Sequence, residues 1–279
     1  MSAYTFSTND DHTRQESVPR AENSRIFETH FPAENIPLGL NLINIKHGAD
    51  YRVRSYIDGI EPVDKKYEAF KATVHLDTWH ETALLGAGCT WLDVSKWDRQ
   101  FQFGRLTATN RLTSGNDKVV DIKFERPYDQ VPKIVVWFHT VNIDRKQDSR
   151  IHAHAEDVTT SGFRLRVHTW GETVVYDSKI SWVAVPLNYP NITAGSFGVS
   201  CLPTEPLPGY KEEIKFDKSF PRPPRVLIAL NKFHTSNKHD LRIEAKAENV
   251  TPEGMTLTIK TWGDSVLYEA GADYIVIVD

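Results

Sequence analysis

Three Thr-Trp pairs, Thr78-Trp79, Thr169-Trp170 and Thr261-Trp262, are the residues of this 279-residue chain best suited to chemistry. The tryptophans stand 91 and 92 residues apart, and an arginine (Arg52, Arg150, Arg242) precedes each one. What this pairing offers is recognition. An indole presents a flat apolar face and one N–H donor. A guanidinium presents five donors in a fixed fork and no acceptor. His152 and His154 stand two apart on one strand face, a spacing that metal ligands use. The third copy has Glu244 and Lys246 there, and the sequence places no third ligand, so the pair reads as a solvated polar face and no metal is expected. No nucleophile elbow, phosphate loop, H-E-x-x-H or dinucleotide glycine pattern occurs. The chain reads as a non-enzyme that needs no cofactor.

The elements that position these residues are written three times. GFRLRVHTWGETVVYDSKISWVAV (162–185) matches GMTLTIKTWGDSVLYEAGADYIVI (254–277) and, more loosely, KATVHLDTWHETALLGAGCTWLDV (71–94). An aromatic follows each tryptophan by twelve residues: Trp91, Trp182 and Tyr274. Arg150 and Arg242 precede their tryptophans by 20 residues and Arg52 by 27, which places an insertion of seven within 58–70. Upstream recur Phe27/Phe31, Phe124/Tyr128 and Phe216/Phe220, each followed by a proline, Pro37, Pro132 or Pro224. Self-similarity at a fixed period marks repeated structural units. Three units follow, at 1–94, 95–187 and 188–279.

Period two dominates within each unit. Ile151, Ala153 and Ala155 alternate with Arg150, His152 and His154; Phe163, Leu165 and Val167 alternate with Arg164, Arg166 and His168. That alternation turns Thr169 inward and Trp170 outward. KIVVWF is a continuous apolar run, as expected of a strand covered on both faces. With turn residues every 8–14 positions and no helical periodicity, each unit reads as an antiparallel β-sandwich of about six strands. Short linkers predict units packed on one another.

Hydrophobic residues make up 40% and charged residues 25% of the chain, and the net charge is −4. That balance argues against a nucleic-acid partner. No apolar run reaches the length of a membrane span. The polar N-terminus has no apolar core of a secretory signal, which predicts a cytoplasmic protein, with any release by a non-classical route. Cys89 and Cys201 are too few for a disulfide framework.

Several of these features together resemble the H-type lectin domain, of the snail agglutinin and discoidin C-terminal type. The carriers are Phe216, Phe220, Pro223, Pro224 and Val226; Leu241, Arg242 and Ile243; Val250, Pro252, Gly254 and Met255; the Thr-Trp pair; and the closing aromatic. The third unit matches best, the second nearly as well, and the first is degenerate. The resemblance implies an all-β chain of three tandem sandwiches arranged as a pseudo-trimer, with glycan sites at the seams. It implies terminal galactose or N-acetylgalactosamine as ligand, held by Trp79, Trp170 and Trp262 and by Arg52, Arg150 and Arg242. It implies a loop carboxylate beside each arginine: Asp117 in the second unit, Glu205 in the third, Asp10 or Asp11 in the first. The family's tyrosine, six residues after the tryptophan, is matched by Tyr176 and Tyr268 but replaced by Leu85 in the first unit. The residue after the tryptophan, which reaches a neighbour's sugar in the family, is His80, Gly171 or Gly263. The expectation is therefore a multivalent lectin with unequal sites, open to further oligomerisation. The alternative is a scaffold of the same fold that has lost sugar binding, favoured by the degenerate first unit and the two glycines.

Overall fold

The computed structural model describes residues 5–10, 18–29, 36–63, 69–93, 100–108, 111–187, 189, 191–201 and 208–278. Asp11, Phe31, Glu205 and most of the first linker (94–99) lie outside the described residues. The first unit supplies β1 (Thr5–Ser7), β2 (Ser24–Thr29), β3 (Leu38–Ile45), β4 (Tyr51–Pro62), β5 (Phe70–Asp77) and β6 (Leu84–Trp91). The second supplies β7 (Gln102–Ala108), β8 (Lys118–Lys123), β9 (Lys133–Ile143), β10 (Ser149–Glu156), β11 (Gly162–His168) and β12 (Val175–Val185). The third supplies β13 (Ile192–Ser200), β14 (Gly209–Lys215), β15 (Arg225–Thr235), β16 (Leu241–Glu248), β17 (Gly254–Lys260) and β18 (Leu267–Ile277). Among the described residues the one helical element is a single 3-10 turn at Thr8–Asp10, and no helix is long and apolar enough to cross a membrane. No disulfide joins Cys89 and Cys201, and the Cys201 thiol donates to the Tyr268 carbonyl at 2.8 Å.

The strand faces follow the alternation in the sequence. Ile151, Ala153, Leu165 and Val167 are fully buried, while Arg150, His152, Arg166 and His168 face the other way, partly exposed. The pairing of strands does not respect the units. Three antiparallel six-stranded sheets run β1-β6-β3-β16-β17-β14, β2-β5-β4-β9-β12-β7 and β13-β18-β15-β10-β11-β8. Each unit gives its first, sixth and third strands to one sheet and its second, fifth and fourth to another. The other half of each sheet comes from a neighbour. The seam registers are equivalent: Arg52 opposite Asn142, Arg150 opposite His234, Arg242 opposite Asn44. β4·β9, β10·β15 and β16·β3 thus close a ring of three units, the expected pseudo-trimer. Edge strands that would be exposed on a lone sandwich are paired at each seam.

β3, β9 and β15 meet one another at the centre of this ring. That position explains the unbroken apolar run of β9, where Val135, Val136, Trp137 and Phe138 are all buried. One face looks into the unit's own core and the other into a second cluster that includes Trp137, Val183, Leu227, Ala229 and Ile275. Gly39, Trp137 and Ala229 occupy equivalent positions on the three central strands and touch. A Cβ built on Gly39 would lie 2.5 Å from the Cβ atoms of both Ala229 and Trp137. The ring therefore holds one large, one small and one absent side chain.

Asp273 is buried beside this centre and accepts hydrogen bonds from the Val136 N–H at 2.7 Å and the Asn231 amide at 2.8 Å. The equivalent Ser181 accepts from the Leu38 N–H at 3.3 Å across another seam. Burial pushes the Asp273 carboxyl up to about 6, with the hydrogen bonds opposing the shift. The folded chain therefore holds this proton to higher pH than the unfolded chain does. The group's stabilising contribution is complete below the ordinary aspartate range and falls as pH rises through about 6. Relative to Asp273→Asn, the wild type is expected to lose about 3 kcal/mol between pH 3.5 and pH 7, from a shift of ~2 units at 1.36 kcal/mol each. Urea midpoints of both proteins across that range check this; a constant difference would refute it.

Candidate functional site

Each seam is built from one recurring set of bonds. The hydroxyls of Thr78, Thr169 and Thr261 donate to the carbonyls of Arg52, Arg150 and Arg242, all at 2.6 Å. Three residues after each tryptophan, Thr82, Thr173 and Ser265 donate to the carbonyls of Asp50, Asp148 and Asp240 at 2.6, 2.5 and 2.5 Å. The same hydroxyls accept from the arginine Nη1 at 3.3, 3.2 and 3.1 Å. Each arginine's Nη2 donates to the aspartate two residues before it, Asp50, Asp148 or Asp240. The other oxygen of that aspartate accepts a backbone N–H from the neighbouring unit. These donors are Arg145 at 3.1 Å, Asn237 at 3.1 Å and His47 at 2.7 Å. An Asp-x-Arg pair thus fastens every seam.

This geometry corrects the expected carboxylates. Asp117 bonds Arg166 at 2.9 Å and not Arg150. Asp10 lies 4.0 Å from Arg25 and not beside Arg52. The carboxylate of each seam is the one two residues before its arginine, legible in sequence as the recurrent D-x-R at 50, 148 and 240. Both terminal guanidinium nitrogens are engaged within the seam. Each arginine side chain is only 15–18% exposed.

The tryptophans are half-buried, with the alternation turning them out of the core as expected. A cation stands over each indole: Arg54 at 5.7 Å from Trp79, Lys232 at 5.8 Å from Trp170 and Lys260 at 5.7 Å from Trp262. Such a contact is worth about 0.5–1 kcal/mol when exposed. Lys232 belongs to the third unit and Trp170 to the second, so this contact crosses the seam. His234 meets the Trp170 ring edge-on at 5.9 Å and packs on Tyr268 at 4.6 Å. Burial, then the Arg150 charge, lowers the His234 pKa and favours the neutral ring.

Tyr268 therefore stands at the second seam rather than with Trp262 of its own unit. Tyr268 is linked to Trp170 through His234. Tyr176 donates to Asp144 at 2.8 Å, a bond that heads the causes raising its pKa, and Asp50 of the first unit adds to the shift. Tyr176 thus lies on the side of the second unit that faces Asp50 of the first seam. At the third seam Leu42, Asn44 and Leu85 of the first unit line a cavity of about 250 Å³ with Glu244, Lys260 and Trp262. Leu85 there takes the place of tyrosine. A larger cavity of about 820 Å³ lies within the first unit among Phe6, Asp10, Arg20, Tyr56, His75 and Asp77, away from the seam arginines.

The residue after each tryptophan has positive φ: His80 at 54°, Gly171 at 62° and Gly263 at 66°. Glycine adopts this conformation without strain. A Cβ at Gly171 would come 3.0 Å from Arg150 Nη1, and one at Gly263 would come 2.7 Å from Arg242 Nη1. These glycines let the guanidinium lie under the turn, whereas His80 projects an exposed imidazole. Among the described residues one group of three, His152, His154 and His168, brings a ligand atom of each within 4.8 Å of the other two.

The H-type lectin domain model matches residues 119–185 and 211–277. A protein described as ATP synthase subunits region ORF 7, from Fuscovulum blasticum, is 34% identical over 68 residues, 24% of this chain and 59% of that one. Discoidin-2 of Dictyostelium discoideum is 38% identical over 66 residues, 23% of this chain and 25% of that one. A discoidin-1 polypeptide of the same organism is 28% identical over 85 residues, 30% of this chain and 34% of that one. The chain spans 59% or less of the length of these relatives. The solved structure of wild-type discoidin II from Dictyostelium discoideum aligns with 63% of this chain and 94% of its own at 16% identity, with a TM-score of 0.29.

Proposed function

The chain belongs to the H-type lectin family through the domains at 119–185 and 211–277, and from that membership and the seam geometry we propose that it binds glycans at the seams between units. The supporting observation is the half-buried tryptophan at every seam, with a cation at its face and, at the second and third seams, residues of the neighbouring unit beside it. A sugar laid on such a face buries its C–H surface, and polar groups beside it take the hydroxyls. At the second seam those groups are Lys232, His234, Tyr268 and Glu269. The ligand class is terminal galactose or N-acetylgalactosamine. Shallow polar sites of this kind bind at about 10 μM to 1 mM, and linked sites add avidity. The seams are unequal. The second has tyrosine and histidine, the first has Tyr176 and Asn142, and the third has Leu85 and Asn44.

A glycan array run with the wild type and a folded Trp170→Ala/Trp262→Ala variant tests this reading. Binding of terminal Gal or GalNAc glycans by the wild type, lost at least tenfold in the variant, is the expected result. No glycan binding by folded wild type overturns it. One observation favours the scaffold reading: both terminal nitrogens of each seam arginine are engaged inside the protein, as a structural clip requires. Haemagglutination blocked by free GalNAc separates the two, since a scaffold gives none.

A further inference from the structure

We propose that His152, His154 and His168 form a binding site for one divalent transition-metal ion of the zinc type, on the outer face of the second unit beside Trp170. The three residues meet through sheet geometry. His152 and His154 are two apart on β10 and so share a face. His168 on β11 lies directly opposite His152 in the antiparallel register. The rings stand 4.3, 5.2 and 5.4 Å apart between centroids. One ligand nitrogen from each lies within 4.8 Å of the other two. A zinc–nitrogen bond of ~2.0–2.1 Å asks each nitrogen to move inward by under ~1 Å, which side-chain rotation supplies.

The same three positions in the other units show what is unusual here. In the first unit they hold Arg54, Tyr56 and Asp77. Asp77 accepts from the Tyr56 hydroxyl at 2.8 Å and lies 3.8 Å from Arg54. In the third they hold Glu244, Lys246 and Lys260, and Lys260 pairs with Glu244 at 2.8 Å. Both of those triads contain opposite charges that satisfy each other. The second unit has three imidazoles and no complement among them. The Nδ1 atoms of His154 and His168 are buried with no hydrogen-bond partner. Unsatisfied buried polar atoms are costly and call for an occupant. Three imidazoles with one nitrogen of each within 4.8 Å of the others suit a cation.

Glu156 has the role of an outer-shell carboxylate. His154 Nε2 lies 2.9 Å from Glu156 Oε1. With the proton on Nε2, the Nδ1 lone pair is free to face the other rings. Metal-bound histidines almost always donate their second nitrogen in this way. Arg166, which also reaches Glu156 at 2.9 Å, fixes the carboxylate in turn. Burial is the first cause that lowers the pKa of His152, to about 3, and of His168. The nearest cation across the seam, Lys232, is paired with Glu269. Three imidazoles leave a fourth position open for water or a ligand, the arrangement of non-structural zinc sites.

The probe is ZnCl₂ titrated calorimetrically into the EDTA-stripped full chain at pH 7.5. One equivalent is expected, with affinity at least tenfold weaker in His152→Gln and in His168→Gln, and 10–100-fold weaker in Glu156→Gln. Melting in EDTA confirms that the variants fold. A second readout places the ion. Cu²⁺ at one equivalent should quench part of the tryptophan fluorescence, because the His168 ring lies 5.8 Å from Trp170, and Trp170→Phe should remove that part. The proposal is overturned if the wild type takes up no stoichiometric zinc. It is equally overturned if the folded His152→Gln/His168→Gln variant binds as tightly as the wild type, which would assign the metal to others of the eleven histidines.

Discussion

Gly39→Val is expected to lower the melting temperature by about 6–12 °C, although the substitution adds only apolar atoms to an apolar centre. The new Cβ would stand 2.5 Å from the Cβ atoms of Ala229 and Trp137 and 2.8 Å from Trp137 Cγ. Side-chain rotation cannot clear a Cβ, so the strands themselves must part. Overpacking costs typically 1–3 kcal/mol and occasionally more, and backbone-fixed obstacles put this site at about 3 kcal/mol. For a chain of this size each kcal/mol is worth about 2–4 °C. A double-mutant cycle of Gly39→Ala with Ala229→Gly gives the sharper measurement. Ala229→Gly removes one of the two collisions, so the pair should couple by about 1 kcal/mol or more. Simple additivity would mean that β3 and β15 do not meet as described. The complementary change, Trp137→Ala, opens a void at the same centre and is expected to cost about 3–5 kcal/mol.

Asp148→Ala is expected to destabilise the chain by about 3 kcal/mol and to loosen one seam specifically. The carboxylate accepts from Arg150 Nη2 at 2.9 Å within its own unit and from the Asn237 N–H at 3.1 Å in the next. Its side chain is 25% exposed and that of Arg150 18%. Removing one member of a mostly buried pair strands the other charge, at roughly 3–5 kcal/mol when fully buried. The partial exposure places this pair at the lower end. Asp148→Asn keeps an acceptor for the Asn237 amide and loses only the charge, so it should cost about half as much. Guanidinium unfolding gives the stabilities. Native-state hydrogen exchange locates the effect, with the Asn237 amide exchanging at least tenfold faster in Asp148→Ala. Unchanged exchange at Asn237 would show that the aspartate is not a seam clip.

These two sites mark the boundary of what sequence patterns disclose. The alternation of Ile151, Ala153, Leu165 and Val167 with polar neighbours fixes strand and inward face, and those residues are buried. The same pattern turns Trp170 outward. The continuous run KIVVWF announces a strand covered on both sides, and β9 is such a strand. The seam carboxylates are less accessible. The resemblance sets Asp117 beside Arg150, whereas Asp148 stands there. The recurrence of Asp50, Asp148 and Asp240 is visible, but two residues of separation at a strand start carry no signal of a bond to another unit. His168 likewise gives no sign of being a third imidazole, because its distance from His152 is sixteen residues in sequence and one strand spacing in the sheet.

The threefold repetition, the all-β class, the face of each strand and the outward tryptophans can all be read from the order of residues. Each depends on local chain geometry, since the pleat turns successive side chains to opposite faces whatever lies beyond. Which strands share a sheet cannot be read that way. Nor can the placement of Tyr268 beside Trp170 through His234, or the approach of three histidines. Those facts depend on which edges meet when three units dock. That choice is made by complementary surfaces such as Gly39, Trp137 and Ala229, contributed by strands far apart in the chain.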